Sequence, residues 1–198
     1  SWRRVKDLSL HLMDIAQNAT AAGASRVDIS LVAQQDPPTL TMTVADNGRG
    51  MEAEFLARVA DPFTTTRTTR KVGLGIPLLK LAAEMTGGRQ DIVSEPGVGT
   101  TIRTGFGLHH IDRIPVGDMG ETVAALVTAW TAIDWVLHLE SWKEQFDLST
   151  MDIKEILGDV PLDNPEIAGW LGGTVREAMK EVFGGILDEI TEGSGSHP

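Results

Sequence analysis

The stretch Val44 to Met51, V-A-D-N-G-R-G-M, places an aspartate at the end of an apolar strand with two glycines close behind it. Such a turn lets the backbone approach a ligand while one carboxylate, Asp46, points at it, with Gly48 and Gly50 leaving the room. A plain strand-to-turn exit has the same composition. Three further stretches accompany it: D-I-A-Q-N at 14–18, D-P-F-T-T-T-R at 61–67 with V-G-L-G-I at 72–76, and E-P-G-V-G-T-T at 95–101. Gly73 and Gly75 stand at the mouth of an amphipathic helix, where unpaired N–H groups and the helix dipole suit an anion.

These groups need elements to position them. Asp7 is placed to cap a helix over 8–22, with Leu8, Leu12, Ile15, Ala19 and Ala22 as its apolar stripe and Gly23 ending it. His11, Asp14 and Asn18 share a second face of that helix. This is either a solvated polar face or a wall overlooking the end of a sheet, and alanines at 16, 19, 21 and 22 permit the close approach that the second requires. Alternation at Val27, Ile29, Leu31 and at Leu40, Met42, Val44 predicts a hairpin with one buried face. Helix signals return at 52–60. Residues 61–72 then carry threonines and cations with hardly any apolar anchor, as expected of a mobile lid.

The pattern next predicts a helix over 76–87 and strands near 89–94 and 100–107. The sandwich is expected to be complete near Leu108. Beyond it, a helix is predicted over 121–132 and a strand pair over 134–148 around Ser141-Trp142. Ser149 or Thr150 caps a helix to Leu157, and Asn164-Pro165 opens a last helix as N-cap and N1. The expected division is a first unit at 1–108 that carries all four stretches, a mainly helical packing or partner-binding region at 109–192, and a flexible tail at 193–198.

Composition narrows the function. The chain has 198 residues, 41% of them apolar, no cysteine, and a net charge of −11. Disulfides and thiolate metal sites are excluded, and the acidic balance argues against a general nucleic-acid binder. No apolar run approaches the ~20 residues of a membrane span, and S-W-R-R-V-K-D lacks a secretory apolar region, so a cytoplasmic protein is expected.

The four stretches, in this order, resemble the nucleotide boxes of the GHKL superfamily, named for gyrase, heat-shock chaperone ATPases, histidine kinases and the mismatch-repair ATPase. The resemblance implies an α/β (α+β) two-layer sandwich, a mixed sheet with helices on one face, that binds ATP and Mg²⁺. Asn18 matches the magnesium-binding asparagine, and Asp14 the base or positioner one turn earlier. Asp46 matches the aspartate that accepts from the adenine amino group, with Thr100 in the same network. Gly48 and Gly50 would admit the purine and Met51 would pack on it. Gly73, Leu74, Gly75 and Ile76 would offer backbone donors to the phosphates, and Thr65, Thr66 and Arg67 match the lid's T-T-K pattern. Ala21 stands where many histidine kinases have a phosphate-binding lysine, leaving that charge to Arg67, Arg70 or Lys71. Asp14 is one methylene shorter than glutamate, which does not favour fast hydrolysis.

Residues A-G-A-S-R-V-D-I are similar to the mismatch-repair ATPase, whereas P-F-T-T-T-R, G-L-G-I and S-E-P-G-V-G-T-T are similar to histidine kinases and anti-sigma-factor kinases. H-I-D-R-I-P-V-G-D and I-L-G-D-V-P-L-D-N-P-E resemble small stand-alone GHKL proteins of anaerobic bacteria. The implied function is a Mg-ATP-dependent kinase, or a sequestering regulator, acting on a partner protein. A dimerising ATP-gated switch of the gyrase and mismatch-repair type is the alternative, and a nucleotide sensor without catalysis is a third. Trp142 and Trp170 are the expected partner contacts, while Trp130 and Trp135 are expected in the core.

Overall fold

The computed structural model describes residues 6–59, 74–187 and 189. The expected lid, with Thr65, Thr66, Arg67, Arg70 and Lys71, lies outside the described residues, as does Gly73 at the expected helix mouth.

The chain opens with α1 (Leu8–Ala21), where the Asp7 carboxylate accepts the Leu10 N–H as the cap predicts. A hairpin of β1 (Arg26–Gln35) and β2 (Pro38–Asp46) follows, then α2 (Ala53–Val59), α3 (Gly75–Glu84), and the hairpin of β3 (Arg89–Glu95) and β4 (Gly99–Gly107). The remainder forms α4 (Met119–Ala129), β5 (Asp134–Glu140), β6 (Gln145–Ser149), α5 (Thr150–Leu157) and α6 (Pro165–Phe183). Asn164 caps α6 by accepting the Glu166 N–H, with Pro165 at the first helical position.

The strands form one six-stranded sheet, in the order β3-β4-β2-β1-β5-β6. All neighbours are antiparallel except β1 and β5, which make the sheet mixed. This corrects the expectation of a sheet finished near Leu108: the region after it is mainly helical as expected, but β5 and β6 continue the same sheet. The reason is the apolar rows. Leu137 lies level with Ile29, Val44 and Ile102, and Leu139 with Leu31 and Met42. Parallel addition of β5 therefore extends one buried face and covers a β1 edge that would otherwise offer unpaired N–H and C=O groups to solvent.

Buried residues alternate along β1, β2 and β5, so the helices occupy one face of the sheet. On that face α1 packs against both α3 and α4, and α6 packs against α4. The partly exposed residues of the other face include Asp28, Ser30, Thr41 and Thr43.

The connection between the two halves is anchored on α1. Leu8 and Ser9 donate their N–H groups to the carbonyls of Pro115 and Val116, each at 2.9 Å, which satisfies two donors that a helix start leaves free. Thr122 of α4 donates to the Ser9 carbonyl at 3.3 Å. Arg113 grips both oxygens of Glu189 at 3.1 and 3.0 Å, and Glu189 also accepts the Val116 N–H at 3.0 Å. Burial would raise the Glu189 carboxyl, but these donors outweigh it and hold the group below its ordinary value.

Candidate functional site

The row of side chains nearest the end of the sheet changes character across the strands. Trp135 and Val27 are apolar, but Asp46, Thr100 and Ser94 continue the row on the same face. Asp46 thus sets a carboxylate where its neighbours along the strand, Val44 and Met42, bury apolar groups. It accepts the Gly48 N–H at 2.8 Å and the Thr100 N–H. Burial still dominates, raising its pKa above the ordinary carboxylate value. Beside it the hydroxyls of Ser94 and Thr100 meet at 2.7 Å, and Ser94 accepts the Met51 N–H at 2.8 Å.

Residues 47–51 are fastened so that this carboxylate faces a cavity. The Asn47 side chain accepts the N–H groups of Ser25 and Arg26 at 2.9 and 3.0 Å. Arg49 donates its backbone N–H to the Ala22 carbonyl at 2.9 Å and a guanidinium N–H to the Ala21 carbonyl at 2.6 Å. Gly50 has φ +71°, and a Cβ there would lie 2.0 Å from the Glu95 carbonyl oxygen. Only glycine permits that crossing of strand end and turn.

The resulting cavity, about 360 Å³, lies between α1 and the ends of β2 and β4. Ile15, Met51, Phe55, Ile76 and Ile102 give it apolar walls, with Asp46 and Thr100 at one end and Asn18 on the α1 wall. An apolar slot closed by one carboxylate suits a flat heterocycle bearing an N–H donor. The Nδ2 atom of Asn18 is buried and has no partner. Amide nitrogen and oxygen are assigned from their surroundings, so this unpaired amide is free to present its oxygen to a hard cation, and the site fits magnesium.

One turn before Asn18, Asp14 pairs with Lys6 at the start of the described chain. His11 is buried behind it, with Nδ1 unpartnered; burial, and then the nearby Lys6 charge, lowers its pKa. Gly75 lies directly on Asp14: a Cβ at Gly75 would sit 2.9 Å from the Asp14 Cβ. At this point α3 begins, its N-cap Leu74 exposed and making no side-chain capping bond, while Ile76 turns into the cavity. Among the described residues no side chain caps this first turn, and a helix start of that kind suits an anion.

The fold brings most of the sequence-predicted residues that are described into one place, with Leu74 exposed at the start of α3. Asn18, Asp46, Gly50, Met51, Ile76 and Thr100 line the cavity, Gly48 is bonded to Asp46, and Asp14 meets Gly75 beside it. Phe55, Ser94 and Lys6 were not singled out by sequence. Phe55, one turn after Met51, carried a helical-spacing signal; Lys6, ahead of the helix cap, belongs to no periodic pattern.

Residues 3–110 match the family described as histidine kinase-, DNA gyrase B-, and HSP90-like ATPase. Among curated relatives, the non-motile and phage-resistance protein of Caulobacter vibrioides is 33% identical over 119 residues, which is 57% of this chain and 14% of that protein. Histidine protein kinase DivJ of the same organism is 31% identical over 104 residues, 50% of this chain and 17% of the relative. The chain therefore spans less than a fifth of the length of either. Among solved structures, the N-terminal domain of a DNA repair protein shares the fold at a TM-score of 0.53 and 15% identity, over 78% of this chain and 58% of that one.

Proposed function

Because this chain belongs to the family of histidine kinase-, DNA gyrase B- and HSP90-like ATPases, we propose that its cavity binds Mg-ATP and that it acts as a kinase-like regulator. In this reading it transfers the γ-phosphoryl group to a partner protein or sequesters that partner when ATP is bound. The observation that carries the proposal is the half-buried Asp46 carboxylate closing an apolar slot, with the unpaired Asn18 amide on its wall.

Each residue then has a task. Asp46 accepts the adenine amino group, Gly48 and Gly50 let the base approach the turn, and Met51 and Phe55 pack on its faces. Asn18 holds the magnesium ion, which supplies neutralisation of the polyphosphate charge when bound. Leu74, Gly75 and Ile76 offer first-turn N–H groups to the phosphates, joined by Thr65, Thr66, Arg67, Lys71 and Gly73 from outside the described residues. Asp14 orients the acceptor and takes its proton. Supply of ATP makes the cytoplasm the proposed location.

The partner would bind the 109–192 part of the molecule. Trp142 and Trp170 are 43% and 53% exposed, whereas Trp135 is 3% exposed. Exposed tryptophans suit an interface, and the net charge of −11 suits a partner with a basic patch, or a second copy through the apolar contacts alone. A second reading, the ATP-gated dimerising switch, is favoured by the bonds from α1 to Pro115, Val116 and α4, because a shift of the nucleotide-facing helix would be felt directly by the second half.

Calorimetry with ATP and magnesium, followed by incubation with γ-labelled ATP and the co-purifying protein, tests the proposal. Magnesium-dependent binding that Asn18→Ala abolishes, with label moving to the partner, is the expected outcome. Unchanged affinity in Asn18→Ala would overturn the assigned site. Release of phosphate with nucleotide-dependent dimerisation would establish the switch instead.

A further inference from the structure

We propose that Lys6 is a binding residue for the terminal phosphate of ATP, held against Asp14 until a triphosphate arrives and then exchanged from one anion to the other. The proposal rests on the ATP reading above and assigns a residue that no nucleotide motif contains.

Position comes first. Asp46 and the Ala22 end of α1 form the base end of the cavity, joined through Arg49. Asp14 lies eight residues back along the same helix, about 12 Å at ~1.5 Å per residue, at the opposite end of the wall. There Asp14 backs onto Gly75 and the uncapped start of α3. A polyphosphate leaving the base and passing Asn18 therefore runs toward Asp14, and the Lys6 ammonium is bonded to the Asp14 carboxylate.

Charge comes second. The α1 helix, L-S-L-H-L-M-D-I-A-Q-N-A-T-A, contains no lysine or arginine. Arg49 is at the base end, with its guanidinium on the Ala21 carbonyl. Lys6 is the described cation in contact with Asp14, and its flexible stem and compact charge suit a phosphate oxygen. The Lys6 and Asp14 side chains are 38% and 40% exposed, so their ion pair is screened and weak enough to exchange. A γ-phosphate carries more negative charge than one carboxylate and draws the ammonium away. Asp14 is then freed to act on the acceptor only when the third phosphate is present.

Calorimetric affinities for Mg-ATP and Mg-ADP, measured for the parent, Lys6→Met and Lys6→Arg in both the parent and Asp14→Asn backgrounds, test this. Lys6→Met is expected to weaken ATP by about tenfold or more, the scale of one charged hydrogen bond, while ADP changes little. Lys6→Arg restores ATP affinity, and the loss persists in Asp14→Asn. Equal losses for ATP and ADP, no loss, or a loss that disappears in Asp14→Asn would overturn it, the last by showing that Lys6 acts only on Asp14. A folded parent that binds neither nucleotide overturns the ATP reading itself, and this proposal with it.

Discussion

Asp46 occupies a place where the sheet otherwise buries hydrocarbon, and its environment sets two effects against each other. Burial favours the neutral carboxyl, and the N–H groups of Gly48 and Thr100 favour the ionised one; burial wins, so its pKa is raised above 3.8. A carboxyl raised in the folded state makes the fold less stable when ionised, and acidification through the raised value removes that penalty. In the proposed site the same protonation would remove the acceptor for the adenine amino group. ATP affinity measured by calorimetry should therefore fall as pH drops toward that value, while the Asp46 contribution to stability rises. His11 titrates with the opposite stability sign: its pKa is lowered from 6.5, so the stability of its neutral form is present above pH 6.5 and lost on acidification. Asp46→Asn separates the two, since it should abolish the acidic limb of binding that Asp46 causes while leaving the His11 effect. At neutral pH that variant should bind ATP about 1–3 kcal/mol more weakly, the loss of a charged hydrogen bond, and discriminate poorly between adenine and guanine nucleotides. An affinity profile identical to the parent would remove Asp46 from the base site.

At the scale of elements, the clasp between Arg113 and Glu189 is a contact that a single change would break. The Arg113 side chain is 7% exposed, and Glu189 28%. Breaking a fully buried pair costs about 3–5 kcal/mol; water reaches Glu189, so Glu189→Gln is expected to cost about 1–2 kcal/mol in urea unfolding after allowance for screening. Because the folded Glu189 pKa is depressed, its stabilising effect is complete above the ordinary value of 4.5 and disappears as pH falls through the lowered one. The parent should lose this increment in acid and the variant should not. Elements of this kind divide sharply in how far the sequence reveals them. The helix capped by Asp7, both early hairpins, and the Asn164-Pro165 start of α6 are visible because period and cap chemistry are local. The gathering of Asp14, Asn18, Asp46 and Gly75 is legible through resemblance, because the stretches that carry them stand in the order of the GHKL boxes. The alternation of Trp135, Leu137 and Leu139 announces a strand but names no neighbour, so its docking beside β1 is hidden. Hidden too are the Pro115 and Val116 carbonyls on α1, since a backbone acceptor has no residue signature, and Lys6, which lies outside any repeat.

For the whole molecule, the consequence of β5 lying beside β1 is that the family-matched part is not bounded by its own edges. A fragment ending at residue 108 would keep the cavity-lining residues. It would lose the partner of one full side of β1 and the carbonyls that cap α1. Open apolar strand edges associate with one another. The 1–108 fragment should therefore be aggregated or non-cooperative in exclusion chromatography and thermal unfolding, where the full chain gives one monodisperse species per condition. A soluble fragment with a sharp transition would show that β1 tolerates an uncovered edge. The same arrangement has a meaning during synthesis. Chain growth completes the described cavity wall at Ile102, yet β1 waits for Asp134 and the residues after it. At ~5–20 residues/s that interval lasts about 2–6 s. A nascent chain passes through it with an unfinished sheet beside a nearly finished pocket, its β1 edge open for those seconds.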